Sequence, residues 1–207
     1  MNTILVFDLD NTLYPDQSGL YSHINKRMNR FIADRLHESL SSVDQIRTDY
    51  IQKYGTTQEG LSREHGIPPM EFLSYAHDIS IGKFLRPNRA FQDYLREVND
   101  PKYIFSNSPA FAIQRILAHL QIETLFHEII SIEMMGYVGK PNPSAFEALI
   151  QHLPIGYERI LFFDDEPKNI EMGRKFGFIS FLVNNKGFSP EDYYGLYLIP
   201  LIKESLS

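Results

Sequence analysis

Asp8 and Asp10 stand two residues apart in Phe7-Asp8-Leu9-Asp10-Asn11-Thr12-Leu13-Tyr14, directly behind the apolar run Ile4-Leu5-Val6-Phe7. Strand side chains alternate faces, so two acids two apart inside a regular strand would share a face and repel. A strand that ends at Asp8 removes the conflict. The pair then sits where the chain turns and can converge on a cation. An Asp-x-Asp alone often does no more than cap a turn, and its weight here comes from what stands at the other strand ends.

Five runs rich in Ile, Val and Phe are predicted strands: Ile4 to Phe7, Tyr103 to Phe105, Glu128 to Ile132, Ile160 to Phe163 and Ile179 to Val183. The first ends at Asp8, the second at Ser106-Asn107 and the fourth at Asp164-Asp165, with Lys140 in the stretch after the third. Ligands of an open parallel sheet gather at the carboxyl ends of its strands, so these residues are predicted to share one site. An isolated Lys is usually a solvated surface residue. Gly139-Lys140-Pro141-Asn142-Pro143, however, is a stiff loop able to aim an ammonium inward. In Ser106-Asn107-Ser108-Pro109, Ser108 reads as a helix cap, which leaves Ser106 and Asn107 free for a ligand.

The elements that must position these groups are legible in part. Ser108-Pro109 opens a predicted helix through Ala112, Ile113, Ile116, Leu117 and Leu120; Ser144 begins another through Phe146, Leu149 and Leu153; Asn169 to Phe176 is a short one closed by Gly177. Strand and helix alternating at this spacing predict an α/β fold: a Rossmann-like parallel sheet core with helices on both faces. The first two strands are separated by too much chain for one crossover, and the interval reads as helix. Leu20, Ile24, Met28, Phe31, Ile32 and Leu36 form one apolar stripe. Ser42 with Gln45 offers a capping box for a second helix through Val43, Ile46, Tyr50 and Ile51 that stops at Gly55. Gln58 to Glu64, ending at Gly66, and a segment opened by Pro68-Pro69 complete the set. A compact domain does not carry so long a plain loop, so residues 14–85 are expected to be an inserted all-helical cap, with 1–13 and 86–207 the α/β core.

With 207 residues and 43% apolar content, the chain can bury a sizeable core. A net charge of −6 argues against a nucleic-acid polymer or an anionic membrane surface as partner, and an anionic substrate must be met by local positive charge. The absence of cysteine excludes disulfides, thiolate metal sites and a cysteine nucleophile. The start has no basic region before its short apolar run, and no window reaches membrane-spanning length, so a cytoplasmic location is the default expectation. The seven histidines show no close metal-ligand spacing. The apolar, aromatic stretch Tyr193 to Ile202 is read as core cover, with a dimer face as the other reading.

The order Asp8-x-Asp10-x-Thr12, then Ser106, then Lys140-Pro141, then Asp164-Asp165 resembles the four sequential motifs of the haloacid dehalogenase-like hydrolase superfamily over nearly the whole chain. The resemblance implies that Asp8 is a nucleophile forming an aspartyl-phosphate and that Asp10 protonates the leaving alkoxide and later deprotonates water. It implies Mg2+ held by Asp8, the backbone carbonyl of Asp10 and the side chain of Asp164, with Asp165 either a ligand or a group behind one. It further implies a phosphoryl group bound by Ser106, Asn107 and Lys140. Many members carry another acid where this chain has Asn169, a departure that concerns the outer shell of the metal. Dehalogenases of this superfamily lack the second acid, so Asp10 implies phosphoryl transfer to water. Asp10 to Pro15, Tyr50, Tyr54-Gly55, Gly60-Leu61 and His65 resemble the pyrimidine 5′-nucleotidase branch, which implies a nucleoside 5′-monophosphate or similar small phosphorylated metabolite as substrate. On that reading Tyr50 and Tyr54 receive a base or sugar; on the other they pack a helix pair. A non-catalytic module binding a phosphorylated ligand or a protein is the alternative from another class.

Overall fold

The apolar run behind Asp8 forms the central strand β1 (Thr3–Phe7) in a computed structural model that describes residues 2–184 and 195–206. β1 pairs in parallel with β2 (Lys102–Phe105) on one side and with β4 (Arg159–Asp164) on the other. β3 (Glu128–Ile130) and β5 (Ile179–Leu182) take the edges, giving the all-parallel order β3-β2-β1-β4-β5. The chain steps outward from β1 to β3 and then returns to the far side of β1, so the topological switch lies between β1 and β4. Register places Phe7 beside Phe163, which sets Asp8 and Asp164 side by side one residue further on.

Period-two alternation sorts the strand residues into two cores. Leu5, Phe7, Ile104, Leu161 and Phe163 face one layer, with α5 (Arg89–Glu97), α6 (Ala110–Leu120) and α9 (Leu198–Leu206) contributing Phe91, Leu117 and Leu198. Ile4, Val6, Phe105, Ile160 and Phe162 face the other, where α7 (Pro143–His152) and α8 (Pro167–Lys175) bring Phe146, Leu149 and Ile170. Full burial of one such side chain is worth ~1.5–3 kcal/mol, which ties the strand ends firmly to the layers beneath them. Leu198 and Ile202 are buried, so that part of the C-terminal stretch covers the core; Tyr193 and Tyr194 lie outside the described residues.

Four helices fill the interval between β1 and β2: α1 (Leu20–Leu36), α2 (Leu40–Tyr54), α3 (Thr57–His65) and α4 (Pro69–His77). α1 packs on α2 and α4, and α3 packs on the same two helices. The apolar stripe of α1 supplies this packing, Phe31 meeting Phe72 edge-on at 5.4 Å. The expected capping box at Ser42 does not form. α2 begins one turn earlier, after Ser39, and the Ser42 hydroxyl donates to the Ser39 carbonyl at 2.8 Å. Among the links that join the helical insert to the sheet layers, Thr56 Oγ1 donates to the Tyr137 carbonyl at 3.0 Å, and Arg115 on α6 donates to the carbonyls of His77 and Ile79 at the end of α4.

Candidate active site

The carboxyl ends of β1, β2 and β4 open into a cleft of about 690 Å³ whose other wall is the helical insert. Asp8, Asp10, Ser106, Asn107, Lys140, Asp165 and Asn169 all line it. A second cavity, of about 340 Å³, lies at the opposite end of the sheet among residues that open β1 and β2 and contains none of these groups.

Lys140 is the electrostatic centre of the arrangement. Only 4% exposed, it donates from Nζ to Asp8 Oδ1 at 2.8 Å and to Asp164 Oδ2 at 2.6 Å, with the rings of Phe105 and Phe162 at 4.9 and 5.6 Å from the ammonium. Burial pulls its pKa down, but Asp164 and Asp8 more than offset this and hold the ammonium charged. The loop that aims it is set by Asn107. That side chain, expected to meet the ligand, instead clamps the Lys140 backbone: Lys140 N–H donates to Asn107 Oδ1 at 2.8 Å, and Asn107 Nδ2 donates to the Lys140 carbonyl at 3.0 Å. The clamp requires glycine at 139, where a Cβ would overlap the Asn107 amide. Gly139→Ala is therefore expected to cost about 1–3 kcal/mol in a denaturant titration and to lower turnover by displacing Lys140.

Carboxylate oxygens of Asp8, Asp164 and Asp165 lie within 4.8 Å of one another. Burial raises the Asp8 pKa well above the ordinary carboxylate range; Lys140 opposes the rise, while Asp164, Asp165 and Asp10 add to it. Burial and then Asp164 push Asp165 up to about 6, against opposition from Lys140 and a hydrogen bond with the Asn11 side chain. One ammonium thus faces three clustered acids, and the cluster is short of positive charge. Hard oxygen donors in this number suit a small divalent cation.

The acids do not contribute equally. Asp164 Oδ1 accepts from the Glu166 amide and Asn169 Nδ2, both at 2.9 Å; Oδ2 accepts from Lys140 and, at 3.0 Å, again from Asn169. Asp164 thus orients Lys140 and belongs to the cluster of acids that could hold a cation, while Asp165 is the acid at the end of β4 that lines the cleft. Asn169 supports Asp164 and leaves its own Oδ1 buried without a hydrogen-bond partner.

The Asp10 side chain stands apart from the cluster. Its Oδ1 accepts from the Tyr14 hydroxyl and its Oδ2 from Ser108 Oγ at 2.6 Å, so the convergence on Asp8 expected of the pair is not made by its carboxylate. Ser108 is thereby removed from its expected role as helix cap: Pro109 holds the cap position in extended conformation, and the Ser108 amide donates to Ser106 Oγ at 3.1 Å. Behind Ser108, His77 Nε2 lies 3.5 Å from its hydroxyl, while His77 Nδ1 donates to the Leu73 carbonyl at 2.9 Å. Burial lowers the His77 pKa, so the ring is neutral at pH 7.

The family model for haloacid dehalogenase-like hydrolases matches residues 3–177 of this chain. The chain belongs to that family. Phosphate metabolism protein 8 of Saccharomyces cerevisiae is 22% identical over 189 residues, covering 84% of this chain; the chain spans 59% of the yeast protein's length. Among solved structures, a phosphatase of the family from Thermococcus onnurineus superposes with a TM-score of 0.61 at 14% identity over 98% of each chain. The 2-haloacid dehalogenase of Pseudomonas syringae gives 0.60 at 15% identity over all of both chains. The Bacillus subtilis hydrolase YfnB, bound to magnesium, gives 0.55 at 17% identity over 91% of this chain and 90% of its own. These structural likenesses concern the fold, and phosphatases and dehalogenases share it.

Of the two readings of Tyr50 and Tyr54, the contacts are those of helix packing. Tyr50 packs over Gly60, where a Cβ would overlap its ring, and its hydroxyl meets His65 Nε2 at 2.6 Å; Tyr54 bonds Glu64. Both serve the α2–α3 pairing, and the aromatic residue that lines the cleft is Tyr21. Sequence reasoning missed Ser108 and His77 as the surroundings of Asp10, and it missed Arg47, which lines the cleft from α2. A signal for Arg47 was available: it lies four residues after the fully buried Val43, on the apolar stripe of its helix.

Proposed function

We propose that this chain is a Mg2+-dependent phosphomonoester hydrolase working through an aspartyl-phosphate. One observation carries the reading: Asp8, Lys140, Asp165, Ser106 and Asp10, drawn from four separated segments, line a single cleft at the switch point of the sheet. Asp8 attacks the phosphorus, the ester P–O bond breaks, and Asp10 gives its proton to the departing alkoxide by exchanging one of its hydroxyl bonds for the leaving oxygen. Ser106 Oγ accepts from the Ser108 amide and keeps its own proton for a phosphoryl oxygen. Lys140 fixes the nucleophile and offsets the charge of the phosphoryl group. Asp10 then takes a proton from the water that attacks the aspartyl-phosphate, restoring Asp8. Asp8, the acids Asp164 and Asp165 and the Asp10 backbone carbonyl would hold Mg2+, which would supply the charge that lets two anions approach. The unpartnered Asn169 Oδ1 beside the acids is an acceptor that a hydrated cation would satisfy. Asp10 is what favours phosphoryl transfer over dehalogenation, since a departing halide needs no proton.

On this reading residues 14–85 are the cap and 1–13 with 86–207 the core, and closure of the cap excludes water once the substrate is seated. The substrate is a small phosphorylated metabolite rather than a nucleic-acid polymer. The finer reading is a nucleoside 5′-monophosphate, with Tyr21 the ring available to a base. Among the described residues no helix is long and apolar enough to cross a membrane, which is compatible with a cytoplasmic protein. A phosphate-release screen over nucleoside monophosphates, sugar phosphates and simple alkyl phosphates, with Mg2+ and with chelator, tests the reading. Mg2+-dependent release is expected, and a binding module without activity would release none. A second expectation follows from Asp165, which must be ionised to hold a cation. Mg2+ should raise the melting temperature strongly at pH about 7.5, above the Asp165 value of about 6, and much less at pH about 5.

A further inference from the structure

The hydrolytic steps leave three charged residues of the cleft unused: Glu166 and Lys168 at the turn into α8, and Arg47 on the helical insert. Arg47 is, among the described residues, the only charged side chain that α1 to α4 contribute to the lining. Its register on α2 turns it inward with Val43. Nη1 donates to Asn29 Oδ1 at 2.7 Å and Nη2 to Asn25 Oδ1 at 2.9 Å, and Met28 Sδ lies 3.4 Å from Nη2. None of these partners carries charge. Nε is buried and has no hydrogen-bond partner at all.

A half-buried guanidinium without an ion pair is costly, and the two Asn contacts do not explain it; Asp44 acts on Arg47 but accepts from Asn29 instead. Two neutral side chains would join α1 to α2 as well, without an orphaned donor. A guanidinium donates in a fork that matches two oxygens of a carboxylate or phosphoryl group. A nucleobase would offer it neutral carbonyls; a second anion also offers a direct ion pair, and partial burial makes charge the larger effect. Tyr21 also lines the cleft, and both Asp10 and Arg47 act electrostatically on its hydroxyl. The volume of about 690 Å³ suits a metabolite spanning the two.

We infer that Arg47 receives a second anionic group, a carboxylate or a second phosphoryl, at the far end of a phosphomonoester whose reacting phosphoryl lies at Asp8. The inference rests on the phosphomonoesterase reading and sets esters with an anionic tail ahead of the nucleoside monophosphates considered under that reading.

The test compares kcat/KM for phosphoglycolate and phosphoglycerate, propanediol bisphosphate, ethyl and propyl phosphate, and uridine monophosphate in the parent, Arg47→Gln and Arg47→Lys. The parent should favour anionic tails over neutral ones by about 10- to 100-fold, and Arg47→Gln should bring that ratio toward parity. Arg47→Lys, which keeps charge without the fork, should restore part of it and stands in if Arg47→Gln fails to fold. The carboxylate and bisphosphate arms identify which anion is preferred. A ratio near parity in the parent, an unaltered ratio in both variants, or uridine monophosphate ranking first with no dependence on Arg47 overturns the inference. If no ester is hydrolysed, the phosphomonoesterase reading fails separately. Calorimetric binding of the same compounds to Asp8→Asn protein, with and without Arg47→Gln, then still decides: equal affinities overturn the Arg47 site.

Discussion

Asp8→Asn is expected to lower kcat by at least about 10⁴-fold while leaving the fold intact. The amide keeps the shape of the side chain and an oxygen for Lys140 Nζ, which now sits 2.8 Å from Asp8 Oδ1. What it loses is the oxyanion that must bond to phosphorus, and no neighbour can substitute. Asp164 is fully buried and held by Lys140, the Glu166 amide and Asn169, and the Asp10 carboxylate is turned toward Tyr14 and Ser108. Stability should move the other way. Burial and three neighbouring acids hold the Asp8 pKa high, so neutralising it relieves repulsion in the metal-free protein. The melting temperature without Mg2+ should equal or exceed that of the parent, and the rise on adding Mg2+ should shrink. Phosphate-release kinetics and thermal melts on the same preparation read both effects.

Lys140→Met is expected to be the most disruptive single change at the site. It strands Asp8 and Asp164, 6% and 0% exposed, without the ammonium that both contact. Removing one partner of a buried ion pair costs roughly 3–5 kcal/mol, because the remaining charge keeps its desolvation penalty. The pH dependence has a defined sign. Asp8 already binds its proton more tightly in the folded state than an exposed carboxylate does, and loss of Lys140 strengthens that preference. A group with a raised folded-state pKa costs stability above its unfolded pKa, and the cost is relieved as pH falls through the folded value. Lys140→Met should therefore be most destabilised near neutral pH and recover toward the parent on acidification. Denaturant titrations across that range test this; a deficit that stays constant with pH would place the damage in lost packing against Phe105 and Phe162 instead.

The sequence carried the sheet and the placement of the site because both rest on strong local patterns. Short Ile-, Val- and Phe-rich runs bounded by turn residues read as strands, and parallel strands bring their carboxyl ends, hence Asp8, Ser106 and Asp164, to one rim. Lys140 was legible from the rigidity of its Gly-Pro-rich loop. Where the polar side chains point within the rim was not legible, since each direction depends on backbone geometry a few residues away. Pro109 at the cap position frees Ser108 for Asp10. The missing Cβ of Gly139 lets Asn107 close on the Lys140 backbone, turning an expected ligand contact into a positioning clamp. The two acids Asp164 and Asp165 differ in surroundings because the turn into α8 presents the Glu166 amide and Asn169 to the first of them. The cap aromatics had two readings in the sequence, and the space over Gly60 decides for packing in the case of Tyr50.

The measurement that bears most directly on the account is mass analysis of acid-quenched protein after mixing with Mg2+ and a substrate found in the release screen. Asp10→Asn should accumulate one phosphoryl group on the peptide that contains Asp8, because the water that clears the intermediate has lost its base; the parent should show less, and Asp8→Asn none. A phosphoryl group on any other residue, or undiminished Mg2+-dependent turnover by Asp8→Asn, would contradict the assignment of Asp8 as nucleophile.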